Sequence, residues 1–427
     1  MVIKSFVLSG PVVRQGPSKL VFNSAKALYV SLPRPLTSRV YLTSVKEPNA
    51  FNLFNAIDQD FHRSRRQLVA PVVNDKSMRM FEPTMIEQVD ISIQELAPSS
   101  QSREPRYIDM TARCKYLGMD IFGLLAFGYH LRLQSEEPNR FIIDTLKASN
   151  YLLNLKMQQP LLARLNLDIF LYLRAILRGR SYLSTIEKMT KARMSQDEHA
   201  QRDFFSFVAN EIKTSRDAIF FPQYRELTLV AGGDTRKCQR LATEIRSKFA
   251  EGTEIQGSRL TNCQYLRACI DETLRMSPPL PGTLWREEVG NRNSTAEALL
   301  VDGHVVPPGT QVGVNLYALH HNEKYFPDPF RFYPERWLPE CPGMADSKAF
   351  VPFLVGPRSC AGKAMAYLEA SLVIAKTLWY FDFEKAPGKL GQIEGDEEYA
   401  LRDIVVSSHK GPYLRFHPRA AFEERNT

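Results

Sequence analysis

Between about Asn55 and Val230 the apolar residues of this chain recur three and four positions apart. The stretches MIEQVDISIQEL (85–96), YLGMDIFGLLAFGY (116–129) and DFFSFVANEIKTS (203–215) carry this spacing, which predicts helices that each bury one face. A second helical block runs through LATEIRSKFA (241–250) and YLRACIDETLRM (265–276). The ends of the chain have a different texture. GPVVRQGPSKLVFNSAKAL (10–28) reads as strand, Gly-Pro turn, strand, and an Asn-Ser cap entering a helix. After Pro278, ALLVDGHVVPPGTQVGVNLYAL (298–319) alternates and carries the turns Asp-Gly and Pro-Pro-Gly. A Pro-rich irregular run, FPDPFRFYPERWLPECPG (326–343), leads toward one last long helix after Cys360, and the tail DIVVSSHKGPYLRFHP (403–418) has the form of a hairpin. The expected class is mainly α with small β-sheets.

Composition alters this picture little. The chain has 427 residues, 44% hydrophobic and 24% charged, with no Gly/Ser linker, repeat or low-complexity tract to divide it, so one domain over 1–427 is expected. Six scattered cysteines, with no CxxC pair and no paired histidine spacing, argue against a zinc site or disulfide framework and fit a reducing compartment. The net charge is +8 and the pI about 9.1, but the basic residues are spread along the chain rather than clustered among aromatics. That pattern argues against nucleic-acid binding. It leaves a solvated basic surface or a docking face for an acidic protein partner. No window of about 20 apolar residues is present to cross a membrane. SFVLSG before Pro11 is too short for a signal-peptide core, so a chain neither secreted nor membrane-spanning is expected.

The stretch FLVGPRSCAG (353–362) holds the most concentrated chemistry. Gly356 and Gly362 permit backbone shapes and close approaches that a side chain would block. Cys360 precedes KAMAYLEASLVIAKTLWYF (363–381), so it lies near a helix N-terminus, where free N–H groups and the helix dipole favour a thiolate. Arg358 can supply a fixed positive charge for an anion, and Phe353 can cover an apolar face. Together they describe a thiolate under a flat apolar ligand with anionic edges, the shape of haem. A lone cysteine is more often a small buried hydrophobe, the reading that suits Cys114, Cys263 and Cys269. A cysteine nucleophile would want a histidine partner, and none of the eight histidines has a hydrolase context.

FLVGPRSCAG resembles the haem-binding signature of the cytochromes P-450, F-x-x-G-x-R-x-C-x-G, with each fixed position present. Three further family patterns follow in the family's order, so the resemblance covers nearly the whole chain. ETLR resembles the E-x-x-R helix motif; Glu272 and Arg275 share a helix face and, in the family, lock onto an arginine of the Pro-rich meander, here Arg336 in PERW. AGGDT (231–235) resembles the oxygen-binding kink of the central helix, which implies Asp234 and Thr235 as an acid–alcohol pair relaying protons. HRSRRQL (62–68) puts His62 where the family often has tryptophan and Arg66 at the partner arginine, one turn apart and suited to a propionate; Arg286 in LWREE is a further propionate contact by the same resemblance.

The resemblance implies haem b held by the Cys360 thiolate, which favours O–O cleavage, with insertion of one oxygen atom from O2 into an apolar small molecule. It implies an NADPH–cytochrome reductase as electron donor, since no Gly-rich flavin segment is present. MSPPLPGTLWREE and YFPDPFRFYPERWL look most like fungal members of secondary metabolism, whose substrates are polyketides or terpenoids, with substrate contacts expected between about Asn139 and Tyr224. Two places depart from the family. The usual N-terminal membrane anchor is missing, which implies a cytoplasmic chain or one peripheral to the endoplasmic reticulum membrane. Only RKCQR (236–240) separates AGGDT from LATEIRSKFA. The shortfall is roughly sixteen residues, some 24 Å of helix at about 1.5 Å per residue. Either the next helices are re-routed or RKCQRLATEIRSKF itself completes the central helix, and Arg236 and Lys237 place charge where apolar residues are expected. The rival expectation is therefore an impaired haem-binding pseudoenzyme, or a faulty gene model.

Overall fold

The computed structural model describes residues 10–31, 36–44, 51–97, 106–158, 173–196, 203–204, 235–287, 299–387, 401–420 and 422. Strands β1 (Val12–Gly16) and β2 (Lys19–Phe22) pair antiparallel around the Gly-Pro turn, and the Ser24 hydroxyl caps helix α1 (Ala25–Ser31) by accepting the Ala27 N–H at 3.0 Å. After β3 (Leu36–Thr37) come α2 (Gln59–Val69) and α3 (Asp75–Leu96), whose first turns are capped by Asp58 and Asn74. Next are β4 (Ile108–Asp109), α4 (Met110–Phe127), α5 (Phe141–Gln158) and α6 (Leu173–Met194). Helix α4 stops at Gly128, whose left-handed φ of 58° turns its N–H back to the Gly123 and Leu124 carbonyls.

The second half holds α7 (Thr235–Lys248), α8 (Gln264–Met276), β5 (Arg286–Glu287), β6 (Leu299–Val301), β7 (His304–Val306), β8 (Gln311–Val314), α9 (Leu316–His320) and α10 (Lys363–Tyr380). It closes with β9 (Phe381–Lys385), β10 (Arg402–Ile404), β11 (Val406–Ser408) and β12 (Tyr413–Pro418). The largest sheet has the order β1-β2-β8-β5-β3, with β2 and β8 parallel; β4, β12 and β9 form a smaller antiparallel sheet. The tail is not one hairpin. Strands β10 and β11 pair with each other, whereas β12 leaves them for β9 and β4, because Leu414 and Phe416 are fully buried there against the main core.

That core gathers α3, α4, α7, α8 and α10. Helix α8 is buried continuously from Ala268 to Met276, including Asp271, Glu272 and Arg275. Charges taken that far from water must be paired, so the helix dictates part of the site.

The shortened stretch after Thr235 is helical and continues without a break through Lys248 as one helix, α7. Its charges are not buried alone: Arg236 is exposed, and Lys237, half-buried, donates its ammonium to the Phe332 carbonyl beside the Phe332 ring. Arg240 pairs with Glu335 at 3.0 Å, and the Glu244 carboxylate caps α8 by accepting the Tyr265 and Leu266 N–H groups at 3.1 and 2.9 Å. The expected cost of unpaired buried charge is avoided because Arg236, Lys237 and Arg240 reach solvent or the meander, while Cys238 between them packs against the core.

Candidate functional site

The loop before α10 is closed by a hydrogen bond from the Cys360 N–H to the Phe353 carbonyl at 2.8 Å. Between these residues Leu354 and Gly356 both have positive φ, 61° and 74°, so the loop turns tightly; Gly356 suits this because it has no Cβ to strain. Gly362 is the residue that precedes the first turn of α10, and its N–H points at the Cys360 thiol. The Cys360 side chain is exposed, although the protein packed around it still raises the thiol above its usual value by burial; the Gly362 N–H and the charge of Arg66 pull it down. A bound metal ion would deprotonate it outright. The Phe353 ring stands 5.3 Å from that of Tyr367 on α10, fixed beside the loop.

Four cationic or potentially cationic side chains converge near this loop. Arg66, one turn after His62 on α2, donates to the backbone carbonyl of Ser359, next to Cys360. Arg358 donates to the Leu53 and Ala56 carbonyls at 3.4 and 2.6 Å, and Arg286, buried on β5, donates to the Trp285 carbonyl at 3.1 Å. Burial, then the Arg286 charge, pushes Arg358 down to about 10, with Tyr41 opposing. Burial likewise lowers Arg286, again opposed by Tyr41. His62 is pushed down to about 4 by burial and by Arg358, Arg66 and Arg286, so it is neutral at physiological pH.

Among the described residues none of Arg66, Arg286 and Arg358 forms an ion pair with a carboxylate. Mutually repelling, partly desolvated guanidinium groups call for an anion. A ligand with carboxylates on its rim and a metal that accepts a thiolate fits this donor set. Tyr41, buried against Phe54 and accepting the Trp285 N–H at 3.1 Å, belongs to the same cluster and had no signature in the sequence.

The expected lock is present. Glu272 accepts from Arg275 Nε and Nη2 at 2.9 Å each, from Arg336 Nε at 3.1 Å, and from the Tyr333 N–H and Trp337 Nε1–H at 2.9 Å each. Burial alone would raise this carboxyl, but Arg275, Arg336 and the Tyr333 N–H together hold it below its ordinary value. Arg275 also donates to the His320 and Pro329 carbonyls at 2.8 and 2.7 Å, and Arg336 to those of Pro327 and Met344 at 3.1 and 3.0 Å. The meander is thereby tied to α8. Trp337 passes the tie onward, its ring 4.4 Å from that of Phe350, three residues before Phe353.

Asp234 lies outside the described residues, as do Ala231–Gly233. Thr235 is the first described residue of α7. The structure therefore brings together Cys360, Arg358, Phe353, Gly356, Gly362, Arg66, His62 and Arg286, and separately Glu272, Arg275 and Arg336.

The family model described as Cytochrome P450 matches residues 236–404. A cytochrome P450 monooxygenase of Penicillium oxalicum, poxM, is 33% identical over 440 residues, covering 95% of this chain and 82% of that protein. One from Gibberella zeae is 31% identical, covering 86% of this chain and 92% of that protein. The crystal structure of the cytochrome P450DA heme domain superposes with a TM-score of 0.77 at 15% identity, over 99% of this chain and 93% of that one, which establishes the fold. The chain belongs to the cytochrome P450 monooxygenase family.

Proposed function

We propose that this chain is a haem-thiolate monooxygenase acting on an apolar small molecule, in fungal secondary metabolism, as one unit over residues 1–427. The observation that carries the reading is the exposed Cys360 thiol beside three arginines that have no carboxylate partner among the described residues. Cys360 would hold the iron of haem b through its thiolate. Arg66, Arg286 and Arg358, with neutral His62, would hold its propionates, and Phe353 would shield the thiolate from water. Bound haem supplies the activation of O2 and the transfer of one oxygen atom to substrate. Gly356 and Gly362 would shape the loop so that the thiolate meets the Gly362 N–H, which stabilises its negative charge. Asp234 and Thr235 would hold and deliver protons.

Electrons would come from an NADPH–cytochrome reductase attracted to the basic surface. Among the described residues no helix is long and apolar enough to cross a membrane, and a cytoplasmic or peripheral membrane location is proposed. A second reading, a haem-binding protein with impaired turnover, is favoured by one observation: Lys237, two residues after Thr235, donates to the Phe332 carbonyl and so ties this part of α7 to the meander. The test is NADPH consumption and product formation with the reductase and a panel of polyketides and terpenoids. Substrate-dependent product supports the monooxygenase; a thiolate-ligated haem that is reduced but yields no product with any of them supports the second reading.

A further inference from the structure

We infer that His320 is a positioning residue for Cys360, its neutral imidazole tying the Glu272–Arg275 lock to the segment that leads into the thiolate loop. His320 ends α9 and is fully buried. Its Nε2 accepts the Val351 N–H at 3.1 Å, its Nδ1 stands 3.2 Å from the Arg275 carbonyl, and its own carbonyl accepts from Arg275 Nη1 at 2.8 Å. An amide N–H can only donate, so Nε2 carries no proton and the single ring proton sits on Nδ1, directed at Arg275. Both ring nitrogens are thus used, and one tautomer is selected.

Val351 is the upstream anchor of the loop. Its carbonyl accepts the Leu354 N–H at 3.0 Å, and Phe353, two residues on, accepts the Cys360 N–H. The ring of Phe350, 5.8 Å away, lies tilted by 35° against the imidazole, which limits its rotation. Burial, with His321 and Arg275 nearby, holds His320 at about 3, so the neutral form that accepts from Val351 persists across the physiological range. Without an acceptor at the Nε2 position the Val351 N–H, itself buried, would be unsatisfied. The loop would then relax where Cys360 must be held against the metal.

This inference rests on the haem-thiolate reading, and the experiment separates the two. Glutamine can place its carbonyl near the Nε2 position, whereas asparagine reaches only that of Nδ1. Purified wild type, H320N and H320Q are reduced under carbon monoxide, and conversion of the thiolate-type Soret band to the neutral-ligand band is followed alongside haem content and Tm. The expected result is conversion roughly tenfold faster in H320N, with H320Q close to wild type. Should H320N fail to fold, H320Q at the wild-type rate remains the expected outcome. Equal conversion in all three, or a loss in H320Q matching the loss in H320N and in step with Tm, makes His320 a packing residue and overturns the inference. A wild type with no thiolate band overturns the haem-thiolate reading instead.

Discussion

Arg66 donates a hydrogen bond to the backbone carbonyl of Ser359, joining helix α2 to the residue before Cys360 across 293 positions of sequence. One side chain thereby contributes a positive charge to the cluster with Arg286 and Arg358 and holds the cysteine loop in place. Arg66→Leu removes both at a half-buried position. Transfer of haem to an acceptor apoprotein should become roughly tenfold faster, in line with the loss of one charge-assisted hydrogen bond. An unchanged transfer rate would show that Arg66 is not part of the haem site.

Glu272 is the centre of the lock, with five donors on one carboxylate. Glu272→Gln is nearly isosteric but leaves Arg275 and Arg336 buried without a counter-charge. Breaking a buried pair in this way costs about 3–5 kcal/mol. The variant should give little soluble haem-loaded protein and a much lower urea midpoint. Arg275→Lys should fare little better, because one ammonium cannot serve Glu272 and the His320 and Pro329 carbonyls together. A wild-type midpoint in Glu272→Gln would show that the Glu272 lock does not hold the fold.

Lys237 fastens α7 to the meander. Lys237→Met keeps the stem over the Phe332 ring but leaves the Phe332 carbonyl without this donor, at a cost of about 1 kcal/mol for a half-buried contact. The drop should appear in the urea midpoint while the Soret spectrum stays that of wild type. A spectral change would instead link this turn of α7 directly to the haem pocket.

Acid should destabilise the fold from about neutral pH downward. Burial pushes His320 and His321 each down to about 3, from an ordinary 6.5, so the unfolded chain takes up protons first as pH falls. Their contribution is complete above about pH 6.5 and is lost progressively toward pH 3. At pH 5 the loss is roughly 2 kcal/mol for each ring. The raised carboxyls of Asp120, Asp271 and Asp403 act in the opposite sense, so the histidine part is best isolated by variation. Urea midpoints at pH 7.5 and 5.0 should differ less in His321→Phe than in wild type. An equal difference would remove His321 from the acid response.

Much of this site was legible because its parts lie in short segments whose internal spacing is rigid. FLVGPRSCAG and ETLR each span fewer than four turns of chain, and PERW follows at the separation a meander needs. The convergence of Arg66, Arg286 and Arg358 came from resemblance, since periodicity says nothing about residues hundreds of positions apart. Of the adjacent pair His320 and His321, only the first reaches both Arg275 and Val351. Nothing in the dipeptide distinguishes them; the difference is which side of the last turn of α9 faces the loop. The tail misled for a related reason. Its turn residues suit a hairpin, but the burial of Leu414 and Phe416 against the core decides the pairing. Tertiary burial outweighed local propensity there.

Whether Cys360 binds haem iron as a thiolate is read from the absorption spectrum of the reduced, carbon monoxide-treated protein. Wild type should show the red-shifted Soret band of a thiolate-ligated haem, and Cys360→Ala should lose it. A Cys360→Ala protein with the same band as wild type, or a wild type whose bound haem shows only the band of a neutral or histidine ligand, would contradict the assignment.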